Sequence, residues 1–296
     1  MQGLILLNKP RDMTSFAAVA RVRRLFGEKR AGHTGTLDPM ATGVLPILLG
    51  KATRLSSHLL EADKRYTAEL LPGVITDTLD VTGTVLERRA VNVSAAEIED
   101  ALGAFRGVIE QVPPMYSALK TNGQRLYDLA RQGVEVERPV RQVEIRELTL
   151  TDITEEGHWR LDVLCSKGTY IRSLADDLGR ALGCGATLAG LCRTQTGGFS
   201  LGECVTLEEL EQDPQAYLLS PERCVAHLGR VEITENQSRR FCHGGELALD
   251  RLPDGLAAEP GDRFRVYAPS GEWLGLGVVK DGALAVECLL REEAAV

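Results

Sequence analysis

The side chains able to do chemistry gather in three short stretches of this 296-residue chain. The first is Gly35-Thr36-Leu37-Asp38-Pro39. Pro39 biases Asp38 toward extended backbone, and the flanking glycines let main chain come close to a ligand. A carboxylate held this way could serve as nucleophile or base. An aspartate that only shapes a turn before proline looks the same. The second stretch, Lys64-Arg65-Tyr66, puts a basic pair ahead of an aromatic. That suits phosphate contact with base stacking, or else it guards the start of an ordinary strand. The third is Ser166-Lys167-Gly168-Thr169-Tyr170-Ile171-Arg172-Ser173-Leu174, where a strand turns through Gly168 into a helix. Tyr170 and Arg172 fall in its first turn, where a cation opposes the helix dipole. Arg172 therefore has an anionic partner, best a carboxylate taken in two-pronged fashion, or it is exposed with none. His33, Leu191 with Arg193, and Thr76-Asp77-Thr78-Leu79-Asp80 are weaker signals. Read alone they are structural: core packing for Leu191 and loop hydrogen bonding for the last.

Other chemistries are poorly supported. The five histidines form no HExxH or His-x-His pair, so no metal site is expected. The seven cysteines are odd in number and lack CxxC spacing, which predicts buried thiols rather than disulfides or a zinc site. No apolar run approaches the ~20 residues of a membrane helix. The opening Gly3-Leu4-Ile5-Leu6-Leu7 has no basic segment before it and no small-residue cleavage site, so a secretory leader is not expected and a cytoplasmic location is. The net charge of −8 disfavours a nucleic-acid partner at first sight. Yet residues 1–60 carry nine Lys/Arg against three Asp/Glu. Phosphate binding depends on such local charge.

The elements that must position these groups follow from periodicity. Gly3 to Leu7 reads as a short buried strand. Thr14-Ser15 offers an N-cap to a helix with Val19, Val22 and Phe26 on one face and a stop at Gly27. Gly32 to Gly43 reads as a long ordered loop leading to a strand near Val44 to Leu49, and loops of this length are commonly functional. Tyr66 to Leu71 is a strand. Ser94-Ala-Ala-Glu97 is a capping box opening a helix that ends before Pro113-Pro114. Arg125 to Gln132 forms a short helix closed by Gly133. Trp159, Leu161, Val163 and Cys165 alternate as in a half-buried strand. Ile171, Leu174, Leu178 and Leu182 mark a helix ending at Gly183. Thr206 to Glu209 is a short helical stretch. Strands and helices mix without a βαβ period, which predicts an α+β domain on a mixed or antiparallel sheet. From about Arg230 short apolar runs separated by Gly, Pro and Asp predict a small β domain. The boundary falls near 228, giving domains of 1–228 and 229–296.

Taken together, GHTGTLDPMATGVLPILLGKATR, DKRYTAEL with GVITDTLD after it, PPMYSALKTNGQRLYDLARQG and CSKGTYIRSLADDLGRALGCGA resemble the TruB family of tRNA pseudouridine synthases. The likeness runs in the family's order over roughly residues 2–210. The tail is similar, in position and texture, to the family's PUA-type RNA-binding domain. One departure is Pro72-Gly73-Val74-Ile75, where the family more often has Leu-Gly and a polar residue.

The resemblance implies isomerisation of uridine 55 in the T-stem-loop of tRNA, by base flipping and with no metal or organic cofactor. It implies Asp38 as the catalytic aspartate and His33 as the residue that fills the place of the departed base. Tyr66 would stack on the target base and is a proposed acceptor of its proton. Tyr170, Arg172 and Leu191 complete the pocket, Arg172 as partner of the carboxylate. Lys64 and Arg65 are expected to meet the RNA, and Lys9-Pro10 to pack beneath the site. Residues 113–141 correspond to an RNA-gripping insertion. A monomer acting without guide RNA is expected. The alternatives are a non-catalytic RNA-binding or RNA-folding protein of the same fold, and an aspartate-dependent phosphoryl-transfer enzyme. The latter would need a DxD pair or a Walker loop that the chain lacks.

Overall fold

The computed structural model describes residues 1–117, 120, 121, 124, 125, 134, 136–253 and 256–291. Period-two burial builds its main sheet. Lys64, Tyr66, Ala68 and Leu70 turn inward from the strand Lys64–Pro72, as do Trp159, Leu161, Val163 and Cys165 from Trp159–Cys165. β-branched and aromatic residues at alternate positions suit such a half-buried face. The path of the sheet runs Gly3–Lys9, Thr42–Leu49, Ala186–Thr196, Lys64–Pro72, Trp159–Cys165, Arg141–Ile153 and Gly107–Gln111. Ala31–His33 adds to Thr42–Leu49, and Phe199–Ser200 to Ala186–Thr196. Each pairing is antiparallel except one: Thr42–Leu49 runs parallel to Ala186–Thr196, through only Cys192↔Thr42 and Arg193↔Gly43.

That short parallel seam decides where a site can form. Two halves of the sheet meet there over two residue pairs and leave room beside them. Gly43 is required at the seam. Its φ is +102°, and a Cβ on it would lie 2.2 Å from the Arg193 carbonyl oxygen. The chain between Ala31–His33 and Thr42–Leu49 arches over this point and carries Asp38.

Two helices steady the arch. Ser15–Leu25 is capped by Thr14, whose side chain accepts from the Ala17 amide, and it buries Ala18, Val19 and Val22. Ile171–Ala181 buries Ile171, Leu174, Ala175 and Leu178 against the sheet, and also Arg172. The capping box at Ser94 and Glu97 opens Ala95–Leu102. The arch contains less loop than expected, since Ala31–His33 is a strand, and Tyr170 is the N-cap of its helix rather than a helical residue. Of the helix expected from Arg125 to Gln132, Arg125 belongs instead to the short strand Gln124–Arg125, and residues 126–132 lie outside the described ones.

A second sheet begins at Gly229. Its order is Gly229–Glu232, Arg263–Tyr267, Trp273–Lys280, Ala283–Leu289 and Leu247–Ala248. This region is not β alone: Glu235–Cys242 is a helix opened by a Thr234–Gln237 capping box. Only Ser238 and Phe241 of that helix are buried, too short an apolar stripe to stand out in the sequence. Apolar side chains from both sheets share one core, with Leu4, Leu6 and Leu48 packed among Leu276, Cys288 and Leu290. All seven cysteines are free thiols. Cys192, Cys204 and Cys242 are half-buried rather than buried as expected. Among the described residues no helix is long and apolar enough to cross a membrane.

Candidate active site

Asp38 lies on the floor of a cavity of about 250 Å³ beside the parallel seam, in a wall formed by Tyr66, Tyr170, Arg172, Leu191 and Arg193. The arch that carries it is held at both ends. Ser15 Oγ accepts from the Leu37 amide at 2.8 Å and donates to the Leu37 carbonyl at 3.0 Å. Lys9, fully buried, donates from Nζ to the carbonyls of Met13 at 2.6 Å, Pro10 at 2.8 Å and Pro39 at 3.3 Å. Burial lowers this ammonium to about 8, with Asp38 opposing the shift. Lys9 thus lies beneath the arch, as expected, and ties its backbone down.

Arg172 settles the choice left open for it: it is buried and partnered. Its Nε lies 2.9 Å from Asp38 Oδ2, and Nη2 donates to Asp38 Oδ1 at 3.1 Å. Nη2 also donates to the Tyr116 carbonyl at 2.8 Å, and Nη1 to the Thr78 carbonyl at 3.2 Å. The Asp80 carboxylate stands 3.8 Å from Nη1. The side chain of Arg172 is 5% exposed and that of Asp38 33%, so the guanidinium backs the carboxylate and the carboxylate faces the opening.

Two effects oppose each other at Asp38. Burial raises its carboxyl above the ordinary range and Asp80 adds to this, while Arg172 and Lys9 lower it. Burial prevails, so the arginine limits the upward shift without reversing it. The phenol of Tyr66 moves up as well, mainly by burial. That keeps it protonated and weakens its candidacy as a base. His33 is depressed, first by burial and then by the charge of Arg193, so its ring is neutral near pH 7.

The remaining expected residues divide. Tyr170 lines the cavity and is clamped at its backbone. Its amide donates to Gln111 Oε1 at 2.7 Å and its carbonyl accepts from Gln111 Nε2 at 3.0 Å. The Arg141 guanidinium sits 5.2 Å from the centre of its ring. Leu191 and Lys64 line the cavity too. The Lys64 ammonium is occupied by the carbonyls of Leu60 and Ala62, and burial lowers it to about 8. Arg65 is not in the cavity wall. Strand alternation turns it to the other face, where it pairs with Asp162 and with Glu147 at 2.9 Å. His33 lies beside the cavity on Ala31–His33 rather than lining it.

Asp80, Gln111 and Arg193 complete the arrangement and were not expected as site residues. Asp80 is fixed by Thr78 Oγ1 and the Thr82 amide, both at 2.9 Å from its Oδ1. Its motif showed in the sequence as a run of Thr and Asp, without a sign of what it would meet. Of the RNA-gripping insertion expected over 113–141, the described Ser117 lines the cavity, the Tyr116 carbonyl accepts from Arg172, and Arg138 donates to the Pro113 carbonyl at 3.0 Å.

Chemically, this is a recessed carboxylate backed by a fixed cation, under an aromatic wall, in a space suited to one planar ring. It can attack an electrophilic carbon and carry the adduct without outside help. Among the described residues no group of three His, Cys, Asp or Glu side chains could hold a metal ion.

Comparison with known proteins matches residues 23–171 to the model described as TruB family pseudouridylate synthase (N terminal domain). Residues 172–223 match tRNA pseudouridylate synthase B C-terminal domain, and 229–290 match Pseudouridine synthase II TruB, C-terminal. The chain is 45% identical to tRNA pseudouridine synthase B of Chromobacterium violaceum over 99% of its own length and 96% of the relative's. It is 46% identical to that of Ralstonia nicotianae, over 98% and 95%. Among solved structures, a chain of a Cbf5-Nop10-Gar1 complex is similar at a TM-score of 0.74 and 28% identity, covering 97% of this chain and 84% of that one.

Proposed function

Because the chain belongs to the TruB family of pseudouridine synthases, we propose that its Asp38 cavity receives one uridine of the tRNA T-stem-loop, at position 55, and returns it as pseudouridine. The protein is a tRNA pseudouridine synthase, an isomerase, with a mixed-sheet α+β synthase fold and a PUA-like C-terminal β unit. One contact carries the assignment of the site: the Asp38–Arg172 pair on the floor of the cavity that Tyr66 and Leu191 also line.

The reaction breaks N1–C1′ and forms C5–C1′. It also breaks C5–H and leaves N1 protonated, with no atom added and no change of oxidation state, so a nucleophile, an acceptor for the C5 proton and a confined space are enough. Asp38 acts ionised, attacking uracil C6 or ribose C1′ as carboxylates do in glycosyl chemistry. A stacked base cannot reach it. The nucleotide swings out at a cost of a few kcal/mol, offset by Tyr66 stacking on the extruded ring and by neutral His33 filling the gap. Residues 1–228 do the chemistry, and 229–296 with the 113–141 insertion hold the RNA. The chain acts as a monomer and without guide RNA.

Incubating unmodified tRNA with the purified chain and mapping the product by mass spectrometry or carbodiimide reaction tests this directly. New pseudouridine at position 55, and on a bare T-arm stem-loop, is expected. An unchanged nucleotide there, or a product elsewhere, would refute it.

The acid side of the pH–rate profile follows from Asp38. A carboxylate is active above its pKa and lost as pH falls through it. Since burial raises that pKa, activity falls at a higher pH than the ~4 of an ordinary aspartate. A plateau held down to pH 4 under single-turnover conditions would contradict the burial of Asp38.

Salt dependence follows from the basic N-terminal sixty residues. Despite the overall charge of −8, tRNA affinity is expected to fall with a log–log slope of about −3 or steeper, as when about four phosphates are neutralised. A flat plot would exclude a phosphate-dominated interface.

A further inference from the structure

Arg193 is 1% exposed, yet among the described residues it has no carboxylate within ion-pair distance. A buried cation is costly unless its donors are satisfied. Two of the donors of Arg193 are spent on the arch and the strand beside the seam. Nε donates to the Val44 carbonyl at 2.8 Å and Nη2 to the Gly35 carbonyl at 3.1 Å. It stands opposite Tyr66 in the strand register and shares the cavity wall with Tyr66 and Asp38.

We propose that Arg193 is a positioning residue for the isomerisation, which fixes the Asp38 arch through Gly35 and aims the Tyr66 phenol at the bound base. Arg193 and Tyr66 are paired across the two strands and line the same cavity, and a guanidinium can only donate, so in a contact between them the phenol oxygen is the acceptor. The phenol's own proton then points to another acceptor. A uracil carbonyl in the cavity supplies one. The charged or titratable groups facing the phenol are Arg193, Cys165 and Asp38; Arg193 lowers its pKa while the other two raise it. A lysine at this position keeps the charge but loses the planar fork that reaches Val44 from Nε and Gly35 from Nη2.

The proposal rests on the synthase reading above, and two readouts keep them apart. The first needs no turnover. Ultraviolet difference titration of wild type against Tyr66→Phe isolates the Tyr66 phenol. Arg193→Met, with its own Tyr66→Phe control, is expected to titrate at least one pH unit higher. An unchanged titration would overturn the contact whatever the substrate. The second is a double-mutant cycle on T-arm stem-loop, for which wild-type turnover itself tests the synthase reading. Arg193→Lys should lower the single-turnover rate at least 30-fold with T-arm affinity within threefold. Adding it to Tyr66→Phe should cost less than the product of the two single losses, since residues acting as one unit are not additive. Multiplicative losses, or a wild-type rate in Arg193→Lys, would reduce Arg193 to a packing residue. If Arg193→Met does not fold, the neutral Arg193→Gln serves the titration as well.

Discussion

Asp38→Asn is expected to bind the T-arm stem-loop within about threefold of wild type while pseudouridine formation falls by about 10⁴-fold or more, the scale seen when an enzyme loses its nucleophile. The change is nearly isosteric. The amide oxygen can still accept from Arg172 Nη2, so the arch held by Ser15 and Lys9 has no reason to move. What disappears is the charge that bonds to carbon. In wild type that charge is held against burial by Arg172 and Lys9; an amide is neutral and carries no such penalty. Against that gain, Arg172 is left buried with only Asp80, 3.8 Å away, as an anionic neighbour, so the variant is expected to be somewhat less stable than wild type while still folded. Tritium release from 5-tritiated uridine RNA gives the rate and a filter assay the affinity. A near-normal rate would remove Asp38 from the chemistry. Retained binding with lost turnover would also set aside a purely RNA-folding protein, for which the substitution should be silent in every assay of RNA modification, wild type included.

How much of this was legible before the fold was known depends on how far each signal travels along the chain. Asp38 and Arg172 were visible because their local surroundings are odd. One is an aspartate between glycines and proline; the other is a cation at a helix N-terminus. The alternation at 159–165 and the helix at 171–181 show for the same reason, since periods of 2 and 3.6 are local. Arg193 and Asp80 were not legible as site residues. Their neighbours come from strands far apart in sequence, and nothing local says that Ala186–Thr196 lies between Thr42–Leu49 and Lys64–Pro72. Arg65 misled because adjacent residues in a strand face opposite sides. Once Tyr66 faces the cavity, Arg65 cannot. The upward shift of Asp38 was hidden as well. An arginine neighbour predicts a lowered carboxyl, and only the depth of the cavity shows that burial outweighs it.

Arg172→Lys is the second large effect. Arg172 joins three segments that have no other reason to meet: the Asp38 arch, the Thr78–Asp80 turn and the Tyr116 stretch. It does so with a planar fork: Nη2 donates to both Asp38 Oδ1 and the Tyr116 carbonyl, Nη1 donates to the Thr78 carbonyl, and Nε lies 2.9 Å from Asp38 Oδ2. An ammonium has one nitrogen; set where Nη2 lies it keeps Asp38 Oδ1 and the Tyr116 carbonyl but gives up the Nη1 bond to Thr78 and the Nε approach to Asp38 Oδ2. At least one buried acceptor is left without its donor, at about 1–3 kcal/mol. The carboxylate loses part of the attraction that offsets its burial, so its pKa rises further. Two outcomes follow. Turnover at saturating RNA should drop by about 10²–10³-fold, the scale of one misplaced catalytic charge. The acid limb of the pH–rate profile should also move to higher pH than in wild type, because more of Asp38 is protonated at any given pH. Asp80→Asn should move that limb the other way, toward lower pH, since Asp80 adds to the upward shift of Asp38. If Arg172→Lys and Asp80→Asn shift the limb in the same direction, Asp38 does not set it. An unchanged rate in Arg172→Lys would mean that the carboxylate needs no planar partner, and the Asp38–Arg172 pair would then be architecture alone.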